Sequence, residues 1–498
     1  MPRIVGRRSA RAQAEAQRAR DRARRAENQL EMRFINSGVT FDDEMRAINF
    51  GICTDGCRKR TSATEIVRGK CESCRRSRVN LFSPENGMDI PSIPPELSGL
   101  SLIEQILLAR VHPVVSVFKV RGQQRAYSGH CINFVQHVEQ VASRLPVAPE
   151  ALSCVLILNR HTPNGILQFK VRAMRIRQAL LWLKRNNQYY RDIIIDEEVL
   201  AGLPEDGNIV DRLPNAGEID HEQDPIQGDN IIDPSFFPNL PALDANEAMR
   251  RVILRQIQNP NQEIDLGDWP ELDRNPADEF RSEGLICKAF PCLFPNGIGD
   301  LRAPRLHTIN KHQYFRYLMQ FHDKRFAKDL RFPYYAHNSL ARWDALECGN
   351  AYVLRNQMQN VNAADMLEIL DDPRHNLAST IMYYGSNLRG SRPYWKQRCS
   401  ELIQMVKQLG QPTVFFTLSA ADYHWPDLFR ILAPGREVGQ LDASERRNLM
   451  HDNPADVAWF FNKRCDKFMK HVMKPLFGIK DFWYRFEWQH RGSPHIHG

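Results

Sequence analysis

The C-terminal stretch of the chain, residues 482–498, constrains the fold more than any other segment. Aromatic side chains alternate with mainly polar ones over residues 482–489, which predicts a strand with one aromatic and one polar face. Residues 490–494 contain a glycine and a proline and predict a five-residue hairpin loop. His495 and His497 then flank a single apolar residue, so a second strand would turn both imidazoles to one face.

The predicted hairpin brings four candidate metal ligands together. A five-residue loop pairs Gln489 with His495. The same register pairs Glu487 with His497. An isolated His-x-His sequence usually has no metal role, but two imidazoles opposite a carboxylate and an amide can hold one ion. Imidazole ligands by themselves also tolerate zinc.

Two upstream segments have the patterns of a strand and a helix. Residues 414–419 alternate apolar residues with residues that include hydroxyl side chains, which predicts a strand that can present hydroxyls to a site. Residues 454–472 carry an apolar stripe at helical spacing, with Asn453 as a candidate N-cap. Lys463 and Lys467 lie on the basic opposite face of this helix and are candidate DNA contacts.

The motifs of these segments resemble those of the replication-initiator domain of Helitron rolling-circle transposases. The Glu-Trp-Gln, Arg-Gly and Pro-His-Ile-His groups within residues 487–497 resemble the HUH motif, in which a hydrophobic residue separates two histidines. Residues 412–427 resemble the family's upstream motif, and residues 290–300 resemble its opening. The resemblance runs from about residue 276 to the end and implies an HUH-endonuclease-like antiparallel sheet with covering helices.

The resemblance also implies a chemistry. In that family a metal ion polarises a phosphate of single-stranded DNA at a transposon end, and a tyrosine attacks it. His495 and His497 would then ligate Mn²⁺ or Mg²⁺, with Gln489 as the first choice for a third ligand and Glu487 as the second. Arg491, in the predicted loop, is a candidate DNA contact. We expect no small-molecule substrate and no membrane association.

The sequence departs from the family pattern in two respects. The family's pair of nucleophilic tyrosines follows the His-x-His motif, whereas this sequence ends one residue after His497, so no catalytic residue is assigned. The phosphate-binding sequence of the helicase half does not occur. We therefore interpret the chain as the N-terminal part of a Helitron-like transposase, with an incomplete HUH sheet and inactive by itself. The alternative is a noncatalytic, zinc-finger-like nucleic-acid-binding protein derived from a transposon.

Four cysteines near the N-terminus have the spacing of a zinc site. They are Cys53, Cys57, Cys71 and Cys74. Two close pairs separated by a loop let four thiolates surround a tetrahedral Zn²⁺, and four reduced structural cysteines are the alternative. Arg75 and Arg76 follow the last cysteine and are candidate DNA contacts.

Charge is distributed unevenly along the chain, whose formal net charge is +8. Residues 1–33 hold ten arginines against four acidic residues, whereas residues 196–247 hold fourteen acidic residues against one arginine. The rest of the chain is therefore more basic than the total suggests, as expected for contact with a phosphate backbone. The N-terminus lacks the apolar core of a secretory signal, and its arginines could form a nuclear-import signal, so we expect a nuclear location.

Taken together, these patterns predict a multidomain α+β protein. Its segments are a basic, solvated arm (1–45), a four-cysteine zinc-finger-like module (46–82), a mixed α/β domain (92–196), an acidic linker (197–247) and the Helitron-like domain (248–498). The mixed domain resembles a domain of unknown function found ahead of Helitron-like regions. In it we expect helices over 97–110 and 174–186 and strands over 112–120 and 155–158.

Aromatic and basic residues alternate over residues 280–332, with the members of the pattern concentrated in residues 312–328. Aromatic faces that stack bases, together with cations that hold phosphates, would bind a single strand. The same aromatic residues could instead form the core stripe of a helix with a basic outer face. For any single aromatic residue the core is the favoured interpretation.

Overall fold

The computed structural model of the chain describes residues 2–77, 79–113, 118–119, 125–126, 135–136, 143–152, 170–209, 212, 282–355, 392–488 and 494–498. These residues form helices and small sheets, which agrees with the predicted mixture of helix and strand. Within these ranges, no helix is both long and apolar enough to cross a membrane.

Helix α1 spans Pro2–Arg46. Its residues 15–36 are exposed, which fits a solvated segment. Its C-terminal end differs from the predicted arm, because Phe41 and Met45 are buried against a cluster that includes residues 428–433. These two apolar residues are one helical turn apart and lie on one face of the helix. Most of their neighbours in sequence are charged, so the composition of the segment did not indicate a buried face.

A small hairpin follows α1, with strand β1 over Phe50–Ile52 and strand β2 over Arg60–Ser62. The short helix α2 spans Glu72–Arg76. The turn between β1 and β2 carries the first two of the four cysteines, and the start of α2 carries the other two. The sequence therefore folds so that both cysteine pairs lie at tight changes of chain direction.

The middle of the chain is built on two helices. Helix α3 spans Leu102–Leu108 and begins with a capping box between Ser101 and Glu104. Helix α4 spans Ala173–Asn186, and its apolar face shares a core with α3. Both helices lie where the sequence predicts them, and α3 starts later than residue 97 because Ser101 caps it.

Short strands accompany these helices in pairs. The pairs are β3 (His112–Pro113) with β6 (Val135–Gln136), β4 (Phe118–Lys119) with β5 (Arg125–Ala126), β7 (Arg144–Leu145) with β9 (Ile194–Ile195), and β8 (Lys170–Val171) with β10 (Gly207–Asn208). Only β7 and β9 among them are parallel. The predicted strand over 112–120 corresponds to β3 and β4, and the one predicted over 155–158 lies outside the described residues.

The start of the predicted acidic linker is ordered structure. Helix α5 spans Glu197–Gly202 with Asp196 as its N-cap, and Leu200 and Leu203 are buried in the core shared by α3 and α4. Acidic residues are favourable at a helix N-terminus, so an acidic composition did not exclude a helix here. Residues 213–247 of the predicted linker lie outside the described residues.

A second core joins the cysteine hairpin to the helices that follow residue 282. These helices are α6 (Leu285–Ala289), α7 (Lys311–Met319), α8 (Arg325–Lys328) and α9 (Phe332–Arg355). Three of the four cysteines belong to the same buried cluster as Phe294, Phe315 and Phe326. The sequence predicts a small four-cysteine module over residues 46–82, and the structure buries one side of that module under aromatic side chains.

Four aromatic residues in α7 and the turn after it decide between the two interpretations of residues 312–328. Tyr314, Phe315, Tyr317 and Phe321 are buried, so they form core and do not offer faces to bases. Basic residues such as Arg316 lie on the outer side. The core interpretation is confirmed for these four side chains.

Over residues 392–488 and 494–498, the structure contains five α-helices and a sheet. The helices are α10 (Arg392–Leu409), α11 (Pro426–Leu432), α12 (Ala443–Asp452), α13 (Pro454–Phe468) and α14 (Lys474–Phe477), and a π-helical turn over Met469–Met473 joins the last two. Helix α13 buries the predicted apolar stripe. Asn453 precedes α13, but its side chain does not cap it, because Oδ1 accepts a hydrogen bond from Lys324 Nζ at 3.1 Å.

The sheet has three antiparallel strands: β11 (Thr417–Ser419), β12 (Arg485–Trp488) and β13 (Pro494–His497), with β13 in the centre. Ile496 of β13 is fully buried and packs with Phe461 and Cys465 of α13. Helix α13 therefore supports the sheet from below, and the side chains flanking Ile496 point to the opposite face.

Candidate metal centres

The register of the β12–β13 hairpin differs from the predicted register by two residues. Glu487 lies opposite His495, and Arg485 lies opposite His497. The sequence predicted Gln489 opposite His495 and Glu487 opposite His497. A shift of two residues preserves the face to which each side chain points, so Glu487 still shares a face with both histidines. Gln489 and Arg491 lie outside the described residues.

Glu487, His495 and His497 converge on one point. Their ligand atoms all lie within 4.8 Å of one another. Nε2 of His495 is 2.6 Å from Nε2 of His497, and Oε2 of Glu487 is 3.4 Å from the latter and 4.0 Å from the former. Two imidazole nitrogens and one carboxylate oxygen, all half-buried, form a donor set that a divalent cation can use.

Side chains on β11 and β12 contact two members of this group. Oγ1 of Thr417, on β11, lies 3.0 Å from Nδ1 of His497. Nε of Arg485 donates to Oε1 of Glu487 at 2.6 Å. The sequence predicted that the upstream strand presents hydroxyls to a site but did not identify Thr417 as the partner of His497. The sequence analysis did not single out Arg485 either, although Arg485 and Glu487 are two residues apart on one predicted strand and therefore share a face.

The four cysteines form a second cluster, as predicted. The Sγ atoms of Cys53, Cys57, Cys71 and Cys74 lie within 4.8 Å of one another. Cys57 Sγ is 3.8 Å from Cys71 Sγ, and the backbone amide of Cys71 donates to Cys53 Sγ at 3.2 Å. Four thiols in this arrangement could bind a metal ion such as zinc.

Burial and local hydrogen bonds shift the pKa values of the cysteine thiols in different directions. Burial raises the pKa of Cys57, and burial also raises the pKa of Cys74 to about 11. Burial opposes ionisation of Cys71 as well, but a backbone hydrogen bond from Cys74 and the charge of Lys59 outweigh it and lower the pKa of Cys71. A cation among the thiols would supply the charge that stabilises four thiolates.

Glycine is required beside the cysteines. A Cβ atom at Gly56 would stand 2.8 Å from Sγ of both Cys53 and Cys74. Side chains essentially never approach this closely, so the turn leaves no room for a larger residue. The backbone therefore closes around the sulfur atoms on this side.

The predicted DNA contacts have different environments. Arg75 and Arg76 are exposed on α2, and Arg76 pairs with Glu72. Lys463 lies 3.3 Å from Glu65, and Lys467 forms an ion pair with Glu44. These two lysines of α13 therefore bind the cysteine hairpin region and α1, and their charges are partly neutralised within the protein.

A buried ion network ties the cysteine hairpin to α13. Asp456, at the start of α13, accepts from Lys324 Nζ at 2.7 Å and forms an ion pair with Arg60 of β2. The rings of Phe50 and Trp459 pack beside it, with centroids 4.3 Å apart. The cysteine cluster and the histidine sheet are thus connected through one helix, because α13 contacts both.

Comparison with known protein families gives two matches. Residues 314–498 match the family described as the Helitron helicase-like domain at N-terminus, and residues 76–201 match a domain of unknown function, DUF6570. Comparison with curated proteins and with solved structures finds no match. The first matched range contains both the histidine pair and the upstream strand, so residues 314–498 of this chain are a Helitron-related N-terminal region.

Proposed function

We propose that the chain binds single-stranded DNA at transposon ends and supplies the metal-binding half of a Helitron-type nicking and strand-transfer site. The observation that carries this proposal is the convergence of Glu487, His495 and His497 on one face of the β12–β13 hairpin. The family match over residues 314–498 supports it, since that family is Helitron-related.

The residues present fit a divalent cation. Two imidazole nitrogens and a carboxylate oxygen suit Mn²⁺ or Mg²⁺ and leave positions for water, and Gln489 is an additional candidate ligand by sequence. When bound, such an ion would polarise a scissile phosphate. Arg485 is half-exposed beside Glu487 and would add positive charge where a phosphate binds.

The surroundings of this group suit an HUH-type sheet. The antiparallel order β11–β13–β12, with α13 packed beneath Ile496, places both histidines on the face away from the core. Phe415, beside His497, is 76% exposed and offers an aromatic face to a base. We assign no nucleophile, because the tyrosines of this sequence all lie upstream of the histidine pair in segments unlike the family's tyrosine helix.

The cysteine cluster has a structural role in this proposal. A zinc ion held by the four thiolates would fix the hairpin that binds α7 and α13. The exposed Arg75 and Arg76 on α2 remain candidates for phosphate contact. Action on genomic DNA requires a nuclear location, which is part of the same proposal.

Calorimetric titration with Mn²⁺ tests the metal site. A His495→Ala/His497→Ala double variant should lose Mn²⁺ binding, whereas His307→Ala, which changes an exposed histidine elsewhere, should bind as the wild type does. If the double variant retained Mn²⁺ affinity, the hairpin would not be the metal site.

Binding of a single-stranded oligonucleotide at increasing salt tests the DNA-binding part. Contact with phosphates predicts that affinity falls steeply as salt rises. The proposed function further predicts that Mn²⁺ strengthens binding in the wild type and not in the double histidine variant. The alternative, a noncatalytic nucleic-acid-binding protein, would instead be supported by a salt-dependent affinity that is the same with and without Mn²⁺ and the same in the wild type and the double histidine variant.

A further inference from the structure

We propose that Thr417 is a positioning residue that holds the His497 ring so that Nε2 faces the metal site. This inference rests on the proposed function. Thr417 belongs to β11 and lies directly opposite His497 of β13 in the sheet. Opposed residues of antiparallel strands project to the same face. The pair is therefore set by the register of the sheet and does not depend on a flexible loop.

The contact occupies one of the two ring nitrogens. Oγ1 of Thr417 is 3.0 Å from Nδ1 of His497, while Nε2 of the same ring is 3.4 Å from Glu487 Oε2. A ring that gives its Nε2 lone pair to a cation carries its proton on Nδ1, and that N–H donates to the hydroxyl oxygen. Thr417 therefore favours both the orientation and the tautomer that a ligating His497 needs.

Loss of the hydroxyl would release the ring. A half-turn about the bond from Cβ to the ring puts Cδ2 in the place of Nδ1 and Cε1 in the place of Nε2. The hydrogen bond between Nδ1 and Thr417 opposes that rotation. Phe415 stacks on the ring at 5.8 Å between centroids but contributes no polar contact that distinguishes the two nitrogens. Thr417 is therefore the group beside Nδ1 that can select the ring orientation.

The variant Thr417→Val tests this inference because valine keeps the β-branched shape of the strand and removes the hydroxyl. Loss of an outer partner of a metal-bound histidine typically weakens affinity by about 10- to 100-fold, which is the effect we expect on the dissociation constant for Mn²⁺. Thr417→Ser keeps the hydroxyl and should restore affinity close to that of the wild type. Thr413→Val is the matched control, since Thr413 is exposed and lies outside the sheet.

A spectroscopic readout separates positioning from general destabilisation. Nitrogen-15 NMR of the histidine rings, with diamagnetic Mg²⁺ bound, should show His497 protonated at Nδ1 in the wild type and in Thr417→Ser. In Thr417→Val the ring should populate both tautomers. A Thr417→Val protein with a wild-type ring spectrum and wild-type Mn²⁺ affinity would overturn the inference.

The failure of this inference and that of the proposed function give different results. If the His495→Ala/His497→Ala variant loses Mn²⁺ binding while Thr417→Val does not, the metal site stands and Thr417 has no positioning role. If the double variant binds Mn²⁺ as the wild type does, the metal site itself is wrong.

Discussion

Asp456 joins three segments of the chain, and removing its charge should loosen the helix that supports the histidine sheet. Its buried carboxylate accepts from Lys324 Nζ at 2.7 Å and pairs with Arg60. Arg60 belongs to the cysteine hairpin, and Lys324 immediately precedes α8. Asp456→Asn keeps the side-chain shape and one acceptor oxygen, but it leaves two cations facing an uncharged group.

The burial of the partners sets the size of this effect. The side chains of Arg60 and Lys324 are 13% and 23% exposed, so solvent screens their charges weakly. Breaking a buried ion pair by removing one partner costs about 3–5 kcal/mol, and the remaining amide oxygen recovers part of it, so we expect about 2–4 kcal/mol. Since about 1.36 kcal/mol is a factor of ten, amide exchange from α13 should accelerate roughly 30- to 1,000-fold.

Hydrogen exchange followed by mass spectrometry measures this directly on peptides that cover residues 454–468. Asp452→Asn is the control, because Asp452 lies one turn away in sequence and its side chain is 65% exposed. We expect the control to exchange like the wild type. Equal exchange rates for Asp456→Asn and Asp452→Asn would refute the reasoning that the buried network holds α13.

Three further predictions concern separate parts of the chain. Gly56→Ala should lower bound zinc, measured by elemental analysis, because its Cβ would stand 2.8 Å from two sulfur atoms; Gly439→Ala, with open space around it, should not. Phe415→Leu should weaken single-strand binding by about 1–3 kcal/mol without changing Mn²⁺ affinity, whereas Phe477→Leu, at a 64% exposed position, should change neither. Burial lowers the pKa of His112 to about 4, below its usual 6.5, so the unfolded chain binds more protons between these values and stability falls as pH drops from about 6.5 to about 4. His112→Gln retains a donor for the Ile106 carbonyl and should flatten that slope in thermal denaturation; an unchanged slope would contradict this role.

The histidine site shows which features strand periodicity can predict and which it cannot. Alternation fixed which residues share a face, so Glu487, His495 and His497 were correctly grouped although the register was wrong by two residues. The loop length could not be read from the sequence, because a glycine and a proline favour a turn without fixing where pairing begins. The partner of His497 could not be read either, because Thr417 approaches it from a strand about eighty residues upstream in the chain.

Surface charge was the least predictable property. The basic face of α13 has the composition of a phosphate-binding surface, yet Lys463 and Lys467 pair with Glu65 and Glu44. Their acidic partners lie some four hundred residues earlier, and a local pattern carries no information about such contacts. Arg75 and Arg76 remain exposed, since α2 lies at the outer side of the cysteine hairpin.

The sequence by itself determined the local chemistry of this protein. Cysteine spacing determined the four-sulfur cluster, the alternation around the histidines determined a shared face, and the apolar stripe determined the buried side of α13. Only the tertiary structure decided that the cysteine hairpin is part of a larger core, that the end of α1 docks, and that one helix connects the two candidate metal centres. The physical reason is the distance along the chain over which each property is set. Periodicity and spacing describe residues within one element, whereas burial and ion pairing depend on which distant segments the fold brings together.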